Sequence, residues 1–187
     1  TQKTPKPLIK VNNKRFLDIL IQNLSRYGLK KILLICSYKA QQFFNIYHKK
    51  FFFNIDIICI DEKFQRDTGG WLNLVENKVE DNFLLLNGDT YLDINFNYYF
   101  NKFQNKKYLA SLLLIKNKSL KRYSGVKFER DTVISFNEPK ASYINSGYYI
   151  FNKKIIKQST ALGKKFSLEK DLFIKLINKN KLQAQIL

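Results

Sequence analysis

The sequence predicts an α/β fold in which a mostly parallel mixed sheet is flanked by helices. Three observations predict it. Apolar runs of strand length recur in the first half, KILLIC at Lys31–Cys36, IDIICI at Ile55–Ile60 and FLLL at Phe83–Leu86. Their near-continuous hydrophobicity is that of strands covered on both faces. Segments with apolar residues at helical spacing alternate with these runs, and such alternation implies parallel strands joined by right-handed crossovers. The 187 residues, 45% of them hydrophobic, suffice for a sizeable core and exclude wholesale disorder.

From Asn12, the phrase NNKRFLDILIQNLSRYG places Phe16, Leu17, Leu20, Ile21 and Leu24 on one helical face. An Asn precedes this run and Gly28 follows it as a terminator. A second helix is expected at Gln41–Lys50 and a third at Thr68–Val79, where Thr68 is a suitable N-cap. After Asp89 the texture changes. Tyr108–Ile115 reads as a strand, Lys116–Ser124 as a polar loop, and Val126–Glu129 and Thr132–Phe136 as short strands about the turn Glu129-Arg130-Asp131. Tyr148–Phe151 is a further strand, Leu168–Asn178 a helix and Leu182–Leu187 a strand. No repeat and no linker rich in Pro, Gly or Ser divides the sequence, so one domain over residues 1–187 is expected.

Composition narrows the function classes. No apolar run reaches the length of a spanning helix, and no membrane partner is expected. The first residues, TQKTPKPLIKV, are too polar and basic for a signal peptide, and Cys36 and Cys59, both in apolar runs, read as buried free thiols. A reducing cytoplasm follows. The first residue is Thr1 and the sequence has no Met, which reads as a fragment or a processed chain. The formal charge of +18 suggests nucleic acid, but only five of the 33 basic residues are arginine and they are dispersed. Lys, Asn, Ile, Phe and Tyr are abundant together, as AT-rich codons dictate, so a solvated basic surface is the better reading. It would still attract phosphorylated small molecules at low salt.

In open α/β sheets ligands bind beyond the carboxyl ends of the parallel strands, and polar segments fall there. Asn87-Gly88-Asp89 leaves a buried strand directly; its glycine permits a sharp turn and its carboxylate is a hard oxygen ligand for Mg²⁺, although the same residues are good turn chemistry. Asp67-Thr68-Gly69-Gly70 offers backbone N–H groups to an anion, or is a simple turn. In Thr4-Pro5-Lys6-Pro7 two prolines hold a lysine at a defined place, as a fixed charge for phosphate or as a plain loop. Glu138 and Lys140, followed by Asn145-Ser146-Gly147, could read sugar hydroxyls and a phosphate, or form a charged hairpin loop.

Together and in order, PKPLIKVNNKRFLDILIQNLSRYGLKKILLICSYKAQQ, EKFQRDTGG, FLLLNGDTYLDIN, RYSGV, ISFNEPK, INSGYYIF and FSLEKDLF resemble the sugar-1-phosphate nucleotidyltransferases. RYSGV and FSLEKD are most similar to the D-glycero-D-manno-heptose 1-phosphate guanylyltransferase branch. The resemblance runs from about Thr4 to the end. It implies a Rossmann-like nucleotide-diphosphosugar transferase fold. It also implies a reaction in which a sugar-1-phosphate oxygen attacks the α-phosphate of an NTP, GTP favoured, and expels pyrophosphate. The NDP-sugar would serve surface-polysaccharide synthesis, made by a cytoplasmic enzyme compatible with a homo-oligomer. By the same resemblance Lys6 and Asp89 are catalytic, Asp89 binds Mg²⁺, and Thr68, Gly69, Asn87 and Gly88 approach the nucleotide. Gly125, Glu138, Lys140, Asn145 and Gly147 are expected to line the sugar-phosphate pocket.

The sequence departs from the family pattern at several points. The G-G-x-G-T-R phrase that precedes P-K-P in the family is absent, as is the aspartate phrase that follows the last strand. Asp67 replaces a glycine, Glu138-Pro139-Lys140 replaces Glu-Lys-Pro, Ser124 is an insertion, and Trp71 stands where a small residue is usual. Asp67 and the altered Glu138-Pro139-Lys140 motivate the alternative of a non-catalytic relative that keeps the fold and binds a sugar phosphate or a protein partner.

Overall fold

Asn12 and Asn13, at φ 49° and 64°, form the two-residue turn of a small hairpin between β1 (Lys10–Val11) and β2 (Lys14–Arg15). Two consecutive residues at positive φ make a turn whose twist matches that of antiparallel strands. These asparagines therefore make a turn and do not cap the helix α1 (Phe16–Ser25), which starts directly after Arg15. The computed structural model describes residues 4–63, 66–117 and 125–187. Its main chain divides into two units, one comprising Thr1–Gln65 with Gly88–Phe96, the other Arg66–Asn87 with Asn97–Leu187.

In the first unit α1 buries Leu17, Leu20, Ile21 and Leu24, the stripe expected from the sequence, and Gly28 takes φ 73° shortly after the helix end. The strand β3 (Lys31–Cys36) pairs in parallel with β5 (Ile55–Asp61), and α2 (Ala40–Tyr47) lies between them in the sequence. Helix α2 ends earlier than the expected Lys50, because Lys50–Phe52 forms β4, antiparallel to β5. The connecting turn, Phe53-Asn54, again has two positive φ angles, 48° and 62°. A bulky residue rarely adopts that conformation, so the sequence carried little sign of this hairpin. Tyr47, fully buried on α2, donates to Asp18 Oδ1 of α1 at 2.5 Å, and Arg15 Nη1 donates to Asp18 Oδ2 at 3.3 Å. Cys36 and Cys59 are buried and free.

The second unit is built on six strands in the order β6-β10-β7-β11-β9-β8: β6 (Asn82–Leu86), β7 (Ala110–Lys116), β8 (Gly125–Glu129), β9 (Thr132–Glu138), β10 (Tyr143–Asn152) and β11 (Leu182–Ile186). Strands β7 and β10 supply the most deeply buried runs, as central strands should. The sheets are mixed, as expected, but not mostly parallel: among the described residues parallel pairing is confined to β3 with β5 and β7 with β11, because apolar runs do not fix strand direction. The FLLL strand, β6, pairs antiparallel with β10, because an apolar run suits either direction and only the partner decides.

Two short helices escaped sequence reading, α3 (Phe96–Lys102) and α4 (Lys154–Thr160). Helix α3 is held from β11: Gln183 Nε2 donates to Lys102 O at 3.3 Å and Gln185 Nε2 to Tyr99 O at 3.2 Å. The helix expected at Thr68–Val79 is only a 3₁₀ turn, Gly70–Leu74. Its intended cap, the Thr68 hydroxyl, instead accepts the Leu168 N–H at 2.9 Å, so nothing caps a longer helix there. The helix expected at Leu168–Asn178 opens as a π-helical turn, Leu168–Phe173, and continues as α5 (Ile174–Ile177). The expected loop at Lys116–Ser124 lies outside the described residues from position 118 onward, as does Ser124.

Candidate active site

Pro5, at φ −56° and ψ 144°, directs the chain into a 3₁₀ turn, Lys6–Leu8, closed by Leu8 N–H donating to Pro5 O at 3.0 Å. This places Lys6 Nζ 3.8 Å from Asp89 Oδ2. Both side chains are largely in water, 70% and 48% exposed, so the pair contributes only about 0–1 kcal/mol to stability. Its value is chemical: a point cation and a hard anionic oxygen stand side by side. A Cβ at Gly88 would lie 3.6 Å from Pro7 Cγ, an ordinary contact, so packing against the prolines does not by itself demand glycine there. No group of three or more His, Cys, Asp or Glu gathers among the described residues. One carboxylate does not make a resident metal cage, but it fits a Mg²⁺ that keeps its waters and shares substrate phosphates.

The remaining sequence candidates lie in the second unit. Asn87 N–H donates to Gly147 O at 3.0 Å, and the Asn87 side chain occupies the space where a Cβ of Gly147 would stand. Gly147, at φ 80°, sits in an irregular stretch of β10 where the register against β7 shifts between Asn145 and Tyr149. Such bulges re-aim side chains. Here Asn145 Oδ1 accepts the Gly147 N–H at 3.1 Å, and Asn145 Nδ2 donates to Tyr149 Oη at 2.8 Å and to Glu169 Oε1 at 2.6 Å. Burial pushes the Tyr149 phenol up to about 12; the Asn145 hydrogen bond opposes this rise and the Glu169 charge reinforces it.

Glu138 ends β9 and accepts from Ser135 Oγ at 2.6 Å. The turn after it closes by Ala141 N–H donating to Glu138 O at 3.2 Å, and it leaves Lys140 exposed. Gly125 pairs with Glu138 across β8 and β9, and a side chain there would collide with Ala141 and the Glu138 carbonyl. Thr68 and Gly69 face the 166–168 segment: Gly69 N–H donates to Phe166 O at 3.0 Å, and the Phe166 ring fills the place of a Gly69 side chain. Packing alone therefore accounts for that glycine. Asp67 takes φ 60° and turns its Oδ1 onto the Thr68 N–H at 2.7 Å. Aspartate is among the few residues that tolerate this region, so it can stand in the family's glycine position. Trp71, the other oddity of this loop, donates Nε1–H to Thr68 O at 2.7 Å.

The nucleotidyl transferase family matches residues 1–187. The chain belongs to that family. It is 34% identical over 172 residues to the D-glycero-alpha-D-manno-heptose 1-phosphate guanylyltransferase of Campylobacter jejuni, covering 90% of this chain and 75% of the relative. It is 31% identical over 179 residues to the enzyme of the same name from Aneurinibacillus thermoaerophilus, covering 91% and 75%. Among solved structures, HddC from Yersinia pseudotuberculosis complexed with GMP-PN is similar with a TM-score of 0.83 and 26% identity, over 98% of this chain and 81% of that one. This nucleotidyl transferase also contains two functional candidates that sequence reading passed over, Tyr149 and Glu169. FSLEKD carried the resemblance, but nothing in its spacing tied Glu169 to Asn145, 24 residues away.

Proposed function

We propose that the chain joins a heptose- or hexose-type sugar 1-phosphate to an NTP, GTP favoured, and releases pyrophosphate to give an NDP-sugar. The observation that carries this reading is the approach of Lys6 Nζ to Asp89 Oδ2 at 3.8 Å. Guanine is favoured because the two relatives described above are guanylyltransferases and the HddC structure is a complex with GMP-PN. An oxygen of the sugar phosphate attacks the α-phosphorus, the bond from that phosphorus to the oxygen bridging to the β-phosphorus breaks, and pyrophosphate leaves. No covalent protein intermediate is required, so the protein's work is positioning and charge neutralisation.

In this reading Lys6 places a positive charge against the triphosphate, and its flanking prolines keep that charge where the phosphate arrives. Asp89 would hold Mg²⁺, which when bound neutralises phosphate charge. Thr68, Gly69, Asn87 and Gly88 are assigned to the nucleotide, and Gly125, Glu138, Lys140, Asn145 and Gly147 to the sugar phosphate. The reaction is placed in the cytoplasm, and the product is an activated sugar for surface polysaccharide.

The test is pyrophosphate release by the full-length protein, with GTP, ATP, CTP and UTP each offered heptose 1-phosphate and mannose 1-phosphate. Turnover should be fastest with GTP. Asp89→Asn keeps the shape and removes the charge, and should lower kcat on the order of 10³-fold, with Lys6→Ala close behind. Turnover by Asp89→Asn within about tenfold of the parent would overturn the metal-binding role, since a lost charge-stabilising group costs at least that much.

A further inference from the structure

We infer that Glu169 is the residue that decides which sugar is accepted, and that Asn145 is the positioning residue that aims it. The inference deepens the proposed sugar-phosphate reading and rests on it. The donors of the Asn145 amide are fully used within the protein. Both of its N–H groups are spent, on Tyr149 Oη at 2.8 Å and Glu169 Oε1 at 2.6 Å, and its oxygen takes the Gly147 N–H at 3.1 Å. Asn145 can therefore meet a sugar hydroxyl only as an acceptor, through the second lone pair of Oδ1. The group it presents is the Glu169 carboxylate, which is exposed and, among the described residues, spends only Oε1 on the protein.

The scaffold that brings Glu169 to this place is specific. Ser167 caps the π-helical turn by accepting from Lys170 N at 3.2 Å, and Asp171 Oδ2 reaches back to Ser167 N at 2.7 Å. Phe173, at the end of that turn, stacks on Phe136 of β9 at 6.0 Å between ring centres and packs against Tyr149 of β10 at 5.5 Å. One aromatic cluster therefore ties together the strand that ends in Glu138, the bulged strand that carries Asn145 and the turn that carries Glu169. A bulge, a left-handed glycine and a π-helical turn converge on one exposed carboxylate, and irregularities of this kind concentrate at functional sites. A carboxylate oxygen held in this way accepts hydrogen bonds from sugar hydroxyls, and a site built to pair with a hydroxyl rejects analogues that lack it.

The experiment uses the full-length protein with Glu169→Gln, Glu169→Ala and a panel of monodeoxy sugar 1-phosphates, reading KM for sugar and nucleotide separately and Kd for the sugar phosphate by calorimetry. Glutamine still accepts from Asn145, so a merely structural role would be rescued by it. If Glu169 touches the sugar, Glu169→Gln raises the sugar KM and Kd by about 10- to 100-fold, the range of a lost hydrogen bond to a charged group, and leaves the nucleotide KM nearly unchanged. The same variant then loses discrimination against one deoxy sugar that the parent rejects. A sugar KM and Kd equal to the parent's in Glu169→Gln overturns the inference while the proposed function stands. A parent that binds sugar phosphate without turnover removes the proposed reaction but still reads Glu169 through Kd. A parent that neither binds nor turns over any sugar 1-phosphate overturns both.

Discussion

Asn87 and Gly147 are matched to each other on two sides. The Asn87 backbone donates to Gly147 O at 3.0 Å, while the Asn87 side chain fills the space that any side chain at 147 would need. Gly147 also lies at φ 80°, where an L residue is strained. Gly147→Ala should therefore cost about 1–3 kcal/mol in denaturant unfolding. Asn87→Ala in the Gly147→Ala background should recover the steric part of that loss, so the two substitutions should be non-additive. Strict additivity would mean that the contact carries none of the penalty.

Asp67 gives a second prediction. If its left-handed backbone is the reason a glycine can be replaced there, Asp67→Gly should change stability by no more than a few tenths of a kcal/mol. Asp67→Val places a β-branched residue at φ 60° and should cost about 1–2 kcal/mol. Thermal unfolding of the three proteins side by side checks this. A valine variant as stable as the parent would show that the loop does not hold the left-handed conformation.

Tyr149 gives a third, in pH. Burial raises its phenol from the ordinary value of 10.0 to about 12 in the folded state. The folded protein thus holds this proton more tightly than the unfolded chain does. The resulting stabilisation is complete below the unfolded value and is lost as pH rises toward and through the folded one. Stability should fall between roughly pH 10 and 12, by an amount on the order of 2 kcal/mol from this group. In Tyr149→Phe, chemical denaturation measured across that window should show a shallower decline. A decline of unchanged slope would assign the alkaline loss to other phenols, such as the buried Tyr47, whose ionisation is also pushed up by burial and by Asp18.

Much of the fold was legible because it rests on local periodicity. The stripe of α1 and the runs that became β3, β5, β6 and β7 were read from apolar spacing, and the order of the motif phrases carried the family. The failures have particular causes. Thr68 had the sequence of a helix cap, but its hydroxyl was taken by Leu168, 100 residues on. Phe53-Asn54 lacks the usual signature of a tight hairpin, so β4 was absorbed into a helix. FLLL announced a strand, half-buried here where full burial was expected, without announcing that its partner would run antiparallel.

The candidate site divides in the same way. The sequence by itself determined its chemistry: a proline-flanked lysine, an aspartate at a strand tip, and a glutamate, an amide and glycines in a fixed order, because residue type and chain order are all that these require. Tertiary structure alone decided which groups are spent and which stay open. It set Lys6 3.8 Å from Asp89, consumed the donors of Asn145 and left the Glu169 carboxylate exposed. The reason is that a hydrogen bond between residues 24 apart depends on strand register, a bulge and a π-helical turn acting together, and none of these is a property of a short stretch of sequence.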